Sequence, residues 1–494
     1  MKKLNSNLPI SKSFLTLFFL ILLPFLTHNL MAQDADINKA AKERQANEDK
    51  GRKLLAKEYP KGMKVLADRT TFGGPGSSMI ANRMQDRSPE LVTEARSKME
   101  ITNYSDVAGR GLWHIRFPFV NVTLVETPKG LVLLDSGYAA IGQVLVDIIP
   151  TLSNKPLLAI AISHSHVDHA YGAYALLERW PNAEVITTDA YPEEVSADIE
   201  LRGSLAKYNN QALDNQTDNS SDPAQPTRTF HDKLDTIIGG EKFLFVHAPG
   251  ETQGHMWVWL PERKAVATGD FYQGFLPNTG NGKRRQRYTK EWVGALREMI
   301  SLKPEYLLGM HANAVTGKDE VASALGITAD ALEYVRDYTI ERLNLGWRKD
   351  QIAARIEWPE RFAEHPLLKL HYNRPADIAR MVAMRYTGWW DDIPSHFAPL
   401  EFDAEAAEVL KLAGGVEHLE KRGRELLKTD PVLASRLADW AYYGAPNNPQ
   451  AKRFFIDVYM QRVAAEDTPL QEATVYLSAA AQARAELSAL HEKK

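Results

Sequence analysis

From about residue 109 onward, short apolar runs are broken at regular intervals by Gly, Pro, Asp and His. NVTLVET (121–127), GLVLLDSG (130–137), PLLAIAISH (156–164), AEVITTD (183–189), KFLFVHAPG (242–250), HMWVWLPE (255–262), KAVATGD (264–270) and EYLLGMH (305–311) predict strands. AYGAYALLERW (170–180) and KEWVGALREMI (290–300) lie among them and predict helices. Interleaved strands and helices make an α/β layered domain over about 95–320. Beyond 320 the strand texture ends. ADALEYVRDYTIERLNLG (329–346) sets Leu332, Val335, Thr339 and Leu343 on one helical face, with Gly346 placed to end it. VEHLEKRGRELLK, DPVLASRLADWAYYGA and NPQAKRFFIDVYMQRVAAE predict packed helices, the last two with proline near their starts. Residues 33–60 are charged and helix-favouring and predict a peripheral helix. Residues 208–228, rich in Asn, Asp, Ser and Pro, predict a long loop.

One apolar run differs from these. Phe14–Leu26, interrupted only by Thr16 and Pro24, follows Lys2, Lys3 and Lys12 and precedes the small residue Ala32. That is the three-part pattern of a secretory signal over residues 1–32, and the run is too short to span a bilayer. The expected location is periplasmic or secreted, without stable membrane insertion. Cleavage removes three lysines and no acids, taking the formal charge from −4 to −7. An acidic chain is poorly suited to a phosphate backbone, so no nucleic-acid partner is expected. The sequence has no cysteine, which excludes disulfides and thiolate metal sites.

The densest chemistry is in SHSHVDHA, residues 163–170. His164 and His166 flank one residue where an apolar strand stops, so in extended chain both imidazoles face one way and can share a metal. Asp168 and His169 follow where the chain turns into a helix, and can face a second metal. Further ligands are available at three other strand ends: Glu251 in GETQGH, Asp270 in ATGD and His311 in GMH. Within GETQGH either Glu251 or His255 can serve. KRRQR (283–287) sets four cations in five positions, suited either to an anionic head group or to a solvated loop. Trp389 and Trp390 are expected in packing between helices.

HSHVDH, GETQGH, ATGD and GMH, preceded by GLVLLDSG, together resemble the metallo-β-lactamase superfamily, whose signature runs H-x-H-x-D-H, G-H-T, G-D and a late His. Glutamate in the third element resembles the type III alkyl sulfatases within it. GLWHIRFPFVNVTLVETPKGLVLLDS is similar to that family's opening strands, and YTGWWDDIPSHFAPLEF, LAGGVEHL and APNNPQAKRFF to its helical dimerisation domain. The likeness covers about 105–490. It differs in carrying Asp270 where the family has Glu, and the small sterol-carrier-like domain that usually follows in that family is not expected here.

The resemblance implies an αββα sandwich followed by an all-helical domain. It divides the chain into a catalytic domain over 33–320, with 33–95 as its helical extension, and a dimerisation domain over 321–494. It implies two zinc ions per chain: one on His164, His166 and Glu251, the other on Asp168, His169 and His311, with Asp270 bridging. Asp168 and Asp270 are then catalytic as well, holding a metal-bridging hydroxide that cleaves a small anionic ester. The implied reaction is alkyl sulfate to alcohol and sulfate, in a homodimer, with Arg287, Arg285 and Asn278 receiving the head group. Without the trailing domain, short or medium alkyl chains are expected. Lactone, thioester or β-lactam hydrolysis on the same metals, or metal retention without turnover, are the alternatives. Ligands of nitrogen and oxygen only suit zinc, with room for manganese or iron.

Overall fold

The computed structural model describes residues 39–68, 86–104, 109–209 and 223–492, together with Asp36 and Met84. The expected signal segment and most of the expected 208–228 loop lie outside the described residues. Two sheets carry the α/β part. The first has seven strands in sequence order: β1 (Glu100–Asn103), β2 (Leu112–Arg116), β3 (Asn121–Glu126), β4 (Leu131–Leu134), β5 (Leu157–Ala161), β6 (Glu184–Thr188) and β7 (Arg228–Phe230). It is antiparallel up to β4 and parallel from β4 to β7. The second is ordered β13-β12-β11-β10-β9-β8. Its strands are β8 (Lys233–Ile238), β9 (Glu241–His247), β10 (Met256–Leu260), β11 (Ala265–Ala267), β12 (Tyr306–Leu308) and β13 (Val315–Thr316).

Period-2 side-chain alternation explains why these sheets stack. Met256, Val258 and Leu260 of β10 join Phe243 and Phe245 of β9 in a core shared with the first sheet. The intervening Trp257, with Val246, Val266 and Leu307, turns outward onto helices Thr289–Ser301, Lys318–Asn344 and Pro375–Thr387. Helices Pro89–Ser97 and Ala139–Leu152 cover the other face through Leu91, Ala95, Ile141, Val144 and Leu145. The result is the expected αββα sandwich, followed by the expected helical region. All eight runs read as strands are strands.

The sheets are also tied by charge. Arg263 and Glu241, both side chains fully buried, meet at 2.7 Å. Arg263 further donates to the carbonyls of Arg110 at 2.9 Å and Glu126 at 2.7 Å.

One expectation is corrected. The helices at 39–58 and Pro60–Asp68 do not extend the sandwich; they belong to the helical region. Leu55 and Leu66 enter its core with Phe454, Phe455, Leu477 and Ala481. Glu58 pairs with Arg484 at 2.6 Å and Arg453 at 2.9 Å. Gly51 permits the crossing: a Cβ there would stand 1.9 Å from the carbonyl oxygen of Ala481. Among the described residues of 33–95, Met84 and the helix Pro89–Ser97 pack with the sandwich.

Candidate metal centre

Parallel pairing brings the chemistry together, because neighbouring parallel strands end at the same edge. β4 and β5 deliver Asp135 and Ser163 side by side, with His164 next. β11 and β12 deliver Asp270 and His311 in the same way. Each sheet thus contributes ligands where its strands stop.

His164 Nε2 and His166 Nδ1 approach to 2.8 Å. Glu251 Oε2 lies 3.0 Å from His166 Nδ1 and 3.9 Å from His164 Nε2. Asp168 and His169 sit on the short helix Val167–Ala170. Their neighbour His311 places Nε2 3.4 Å from Asp168 Oδ2. Asp270 Oδ1 is 3.2 Å from His169 Nε2 and 3.1 Å from His311 Nε2. Ligand atoms of His164, His166, Glu251 and Asp270 fall within 4.8 Å of one another, as do those of Asp168, His169 and His311. All seven residues picked from the sequence converge, and Asp270 stands between the two groups.

The ring orientations suit cation binding. His169 Nδ1 donates to Asp135 Oδ2 at 2.8 Å, and His311 Nδ1 to the Phe119 carbonyl at 2.7 Å. Each proton is held on the outer nitrogen, which turns Nε2 inward. Asp135 adopts φ 57° and also accepts from the backbone N–H and hydroxyl of Ser163 at 2.7 and 2.9 Å. His169 Nε2 and Asp270 Oδ1 are buried without a hydrogen-bond partner. Buried polar atoms left so are costly, and a cation between them would satisfy both. Three carboxylates and four imidazoles, with no thiolate, form a donor set that fits zinc, manganese or iron.

Electrostatics keep the carboxylates anionic. Burial raises the pKa of Asp270, but His311 and His169 outweigh it and hold the group well below its ordinary range. Burial opposes ionisation of Glu251 too, and Arg287 reverses the balance. His164 is held well below its usual range by burial and by His169 and His166, so its ring is neutral.

Of Glu251 and His255, it is the carboxylate that stands among the candidate ligand atoms. His255 lies behind the ligands, stacked on Phe271 at 4.2 Å with rings 7° from parallel. The backbone N–H groups of Glu251 and Asp270 point at its two ring nitrogens, at 3.3 and 3.2 Å. Burial pushes this imidazole down to about 3.

The three residues expected at the head group each have a protein partner. Arg287, 2% exposed, pairs with Glu251 and donates to the Asn278 carbonyl at 2.6 Å. Arg285 reaches Asp198 at 2.6 Å. Asn278 accepts from Asn281 at 3.0 Å through its side chain. Sequence reasoning passed over Arg284, whose guanidinium acts on Glu251 and Asp168 and donates to the Tyr372 hydroxyl at 3.3 Å. It also missed Gln273, which donates to Glu251 at 3.1 Å and to Asp270 at 3.3 Å. Only the position of Arg284 inside KRRQR was a signal; Tyr372 comes from the helical region and gave none.

Residues 115–311 match the metallo-beta-lactamase superfamily, and residues 348–486 match the alkyl sulfatase dimerisation family. The chain is a metallo-beta-lactamase domain joined to an alkyl sulfatase dimerisation domain. Its relatives include a linear primary-alkylsulfatase of Pseudomonas sp. (strain ATCC 19151), 27% identical over 349 residues, or 64% of this chain and 65% of that protein. An (R)-specific secondary-alkylsulfatase of Pseudomonas sp. is 22% identical over 374 residues, 69% of this chain and 56% of that one. The chain therefore spans just under two thirds, or less, of these relatives' length. The stereoselective inverting sec-alkylsulfatase Pisa1 from Pseudomonas sp. superposes with a TM-score of 0.66, at 22% identity, over 76% of this chain and 64% of that one. At that identity the likeness concerns the fold. The dimerisation domain touches the metal centre's own loop. Asn373 donates to the Gly280 carbonyl at 3.4 Å, and Lys283 to Thr474 at 3.2 Å. The metallo-beta-lactamase domain's site is thus built partly by its neighbour.

Proposed function

We propose that this protein is a zinc-dependent hydrolase, with two zinc ions per chain, that cleaves alkyl sulfate esters to alcohol and sulfate. The observation that carries the reading is Glu251, a carboxylate beside His164 and His166 in a chain whose relatives are named alkylsulfatases. Two bound cations would neutralise charge at the ester and bring the pKa of a coordinated water down to around 7. The chain's own residues do the rest. Asp135 and the Phe119 carbonyl keep His169 and His311 in the ligating tautomer. Arg287 offsets the charge of Glu251. Arg284 with Tyr372 joins Arg287, Arg285 and Asn278 as a candidate donor pair for the sulfate oxygens.

The test is a hydrolysis panel on zinc-loaded protein with dodecyl sulfate, a homoserine lactone, nitrocefin and lactoylglutathione, alongside elemental analysis. Sulfate release is expected to dominate, with close to two metals per chain. Faster lactone, thioester or β-lactam hydrolysis overturns the substrate class, and one metal or none overturns the binuclear reading.

The protein is further proposed to be a homodimer. Trp389 (70% exposed), Phe397 (67%), Leu400 (70%) and Leu412 (82%) lie within one stretch of the dimerisation domain. Trp389 stacks on Phe397 at 6.0 Å and stays exposed, where packing between helices was expected of it. An exposed aromatic pair, with exposed leucines near it in sequence, is the kind of apolar surface that marks association. Light scattering is expected to give a dimer at micromolar concentration, and Trp389→Glu with Phe397→Ser to shift it to monomer. A wild-type monomer removes the reading.

A further inference from the structure

The three residues read as one cation's ligands come from different sheets. His164 and His166 follow β5 in the first sheet, and Glu251 follows β9 in the second. Their side chains meet to within 3.0 Å; the two loops share no strand, and a backbone hydrogen bond from Met256 N–H to the Ser163 carbonyl at 2.9 Å joins them directly. One carboxylate touches both. Glu194, in the first turn of the helix Tyr191–Glu200, accepts from the backbone N–H of Gly254 through Oε1 at 3.1 Å. Its Oε2 accepts from the hydroxyl of Ser165, the residue between the two histidines, at 3.3 Å. The same corner of the chain grips Gly254 from its other side, where Thr188 Oγ1 donates to the Gly254 carbonyl at 2.8 Å. Gly254 is needed for that approach: a Cβ would stand 2.8 Å from Thr188 Oγ1 and 3.1 Å from Glu194 Oε2.

We propose that Glu194 is a positioning residue for the metal centre, cross-linking the His164–His166 loop to the Glu251 loop and so setting the affinity for the cation those three residues hold. The inference rests on the reading of these residues as metal ligands. Glu194 touches none of the ligand atoms; it acts through Ser165 and Gly254. Partners bonded directly to a ligating side chain cost about 10- to 100-fold in metal affinity when removed, and Glu194, one step further out, is expected to act at up to that scale.

The test is chelator titration of the metal-loaded protein with elemental analysis, and thermal melting of the metal-free protein. Glu194→Ala is expected to weaken one of the two metals by up to about 100-fold and to leave the other, and the metal-free melting temperature, as in wild type. Glu194→Gln is expected to restore affinity, since its amide oxygen can accept from Gly254 while its NH2 donates to Ser165. Ser165→Ala, which cuts one arm, is expected to fall between. Wild-type retention of both metals in Glu194→Ala overturns the inference. So does equal loss of both with a lowered metal-free melting temperature, which marks a general structural role. If Glu194→Ala does not fold, undiminished metal affinity in Ser165→Ala overturns it. A wild-type protein with fewer than two metals removes the metal reading itself, a failure visible before any variant is made.

Discussion

Asp270→Asn is expected to leave the fold intact and to abolish both metal retention and hydrolysis. Asp270 is 3% exposed, its Oδ1 lies 3.1–3.2 Å from His311 and His169, and its carboxylate belongs equally with His164, His166 and Glu251. The amide is isosteric but carries no charge, so both ligand groups lose the anion they share. Losing a single preorganised donor to a developing charge costs about 10²- to 10³-fold in rate; removal of the cations should exceed that. Metal content and sulfate release measured on one preparation, with melting temperature as control, decide the matter. Two metals retained, with a rate within about tenfold of wild type, a barrier change of only 1.4 kcal/mol, would show that Asp270 is not shared.

Arg263→Met is expected to destabilise the fold by about 3–5 kcal/mol, the usual cost of breaking a buried ion pair from one side. Glu241 would keep only Arg110, at 3.2 Å, to balance a fully buried carboxylate. The carbonyls of Arg110 and Glu126 would lose their donor as well. Adding Glu241→Leu should recover part of the loss, because the stranded charge goes but the two carbonyls remain, each costing about 1–3 kcal/mol when unsatisfied. Urea unfolding of the two single variants and the double variant measures this. A single variant within about 1 kcal/mol of wild type, the range of an exposed pair, would mean that water reaches the site.

Much of the architecture was legible locally. Apolar runs stopped at Gly, Asp or His mark strands buried on both faces, and the ligands stand where those runs stop. Where burial is one-sided or absent, the pattern fails. β1 is exposed throughout, β7 has three residues, and β8 alternates Lys233, Asp235 and Ile237 on an exposed face at the edge of its sheet. None of the three was expected from the pattern. Nor was the two-residue β13, nor β2, which is buried along nearly its whole length and was reached only through the family likeness.

The amino-acid sequence alone determined which residues can bind a metal, since HSHVDH, Glu251, Asp270 and His311 carry their chemistry and their strand-end positions in local order. Tertiary structure decided what those residues touch. It set Glu251 rather than His255 beside His164, His166 and Asp270, turned Arg287 onto Glu251, brought Arg284 to Tyr372, and set Glu194 between two loops. It also moved the amino-terminal helices onto the carboxyl-terminal ones, across more than 400 residues of chain. The physical reason is the same in each case. Periodicity reports how a segment divides its faces between core and water, whereas a pairing between distant side chains depends on which faces the folded layers bring together.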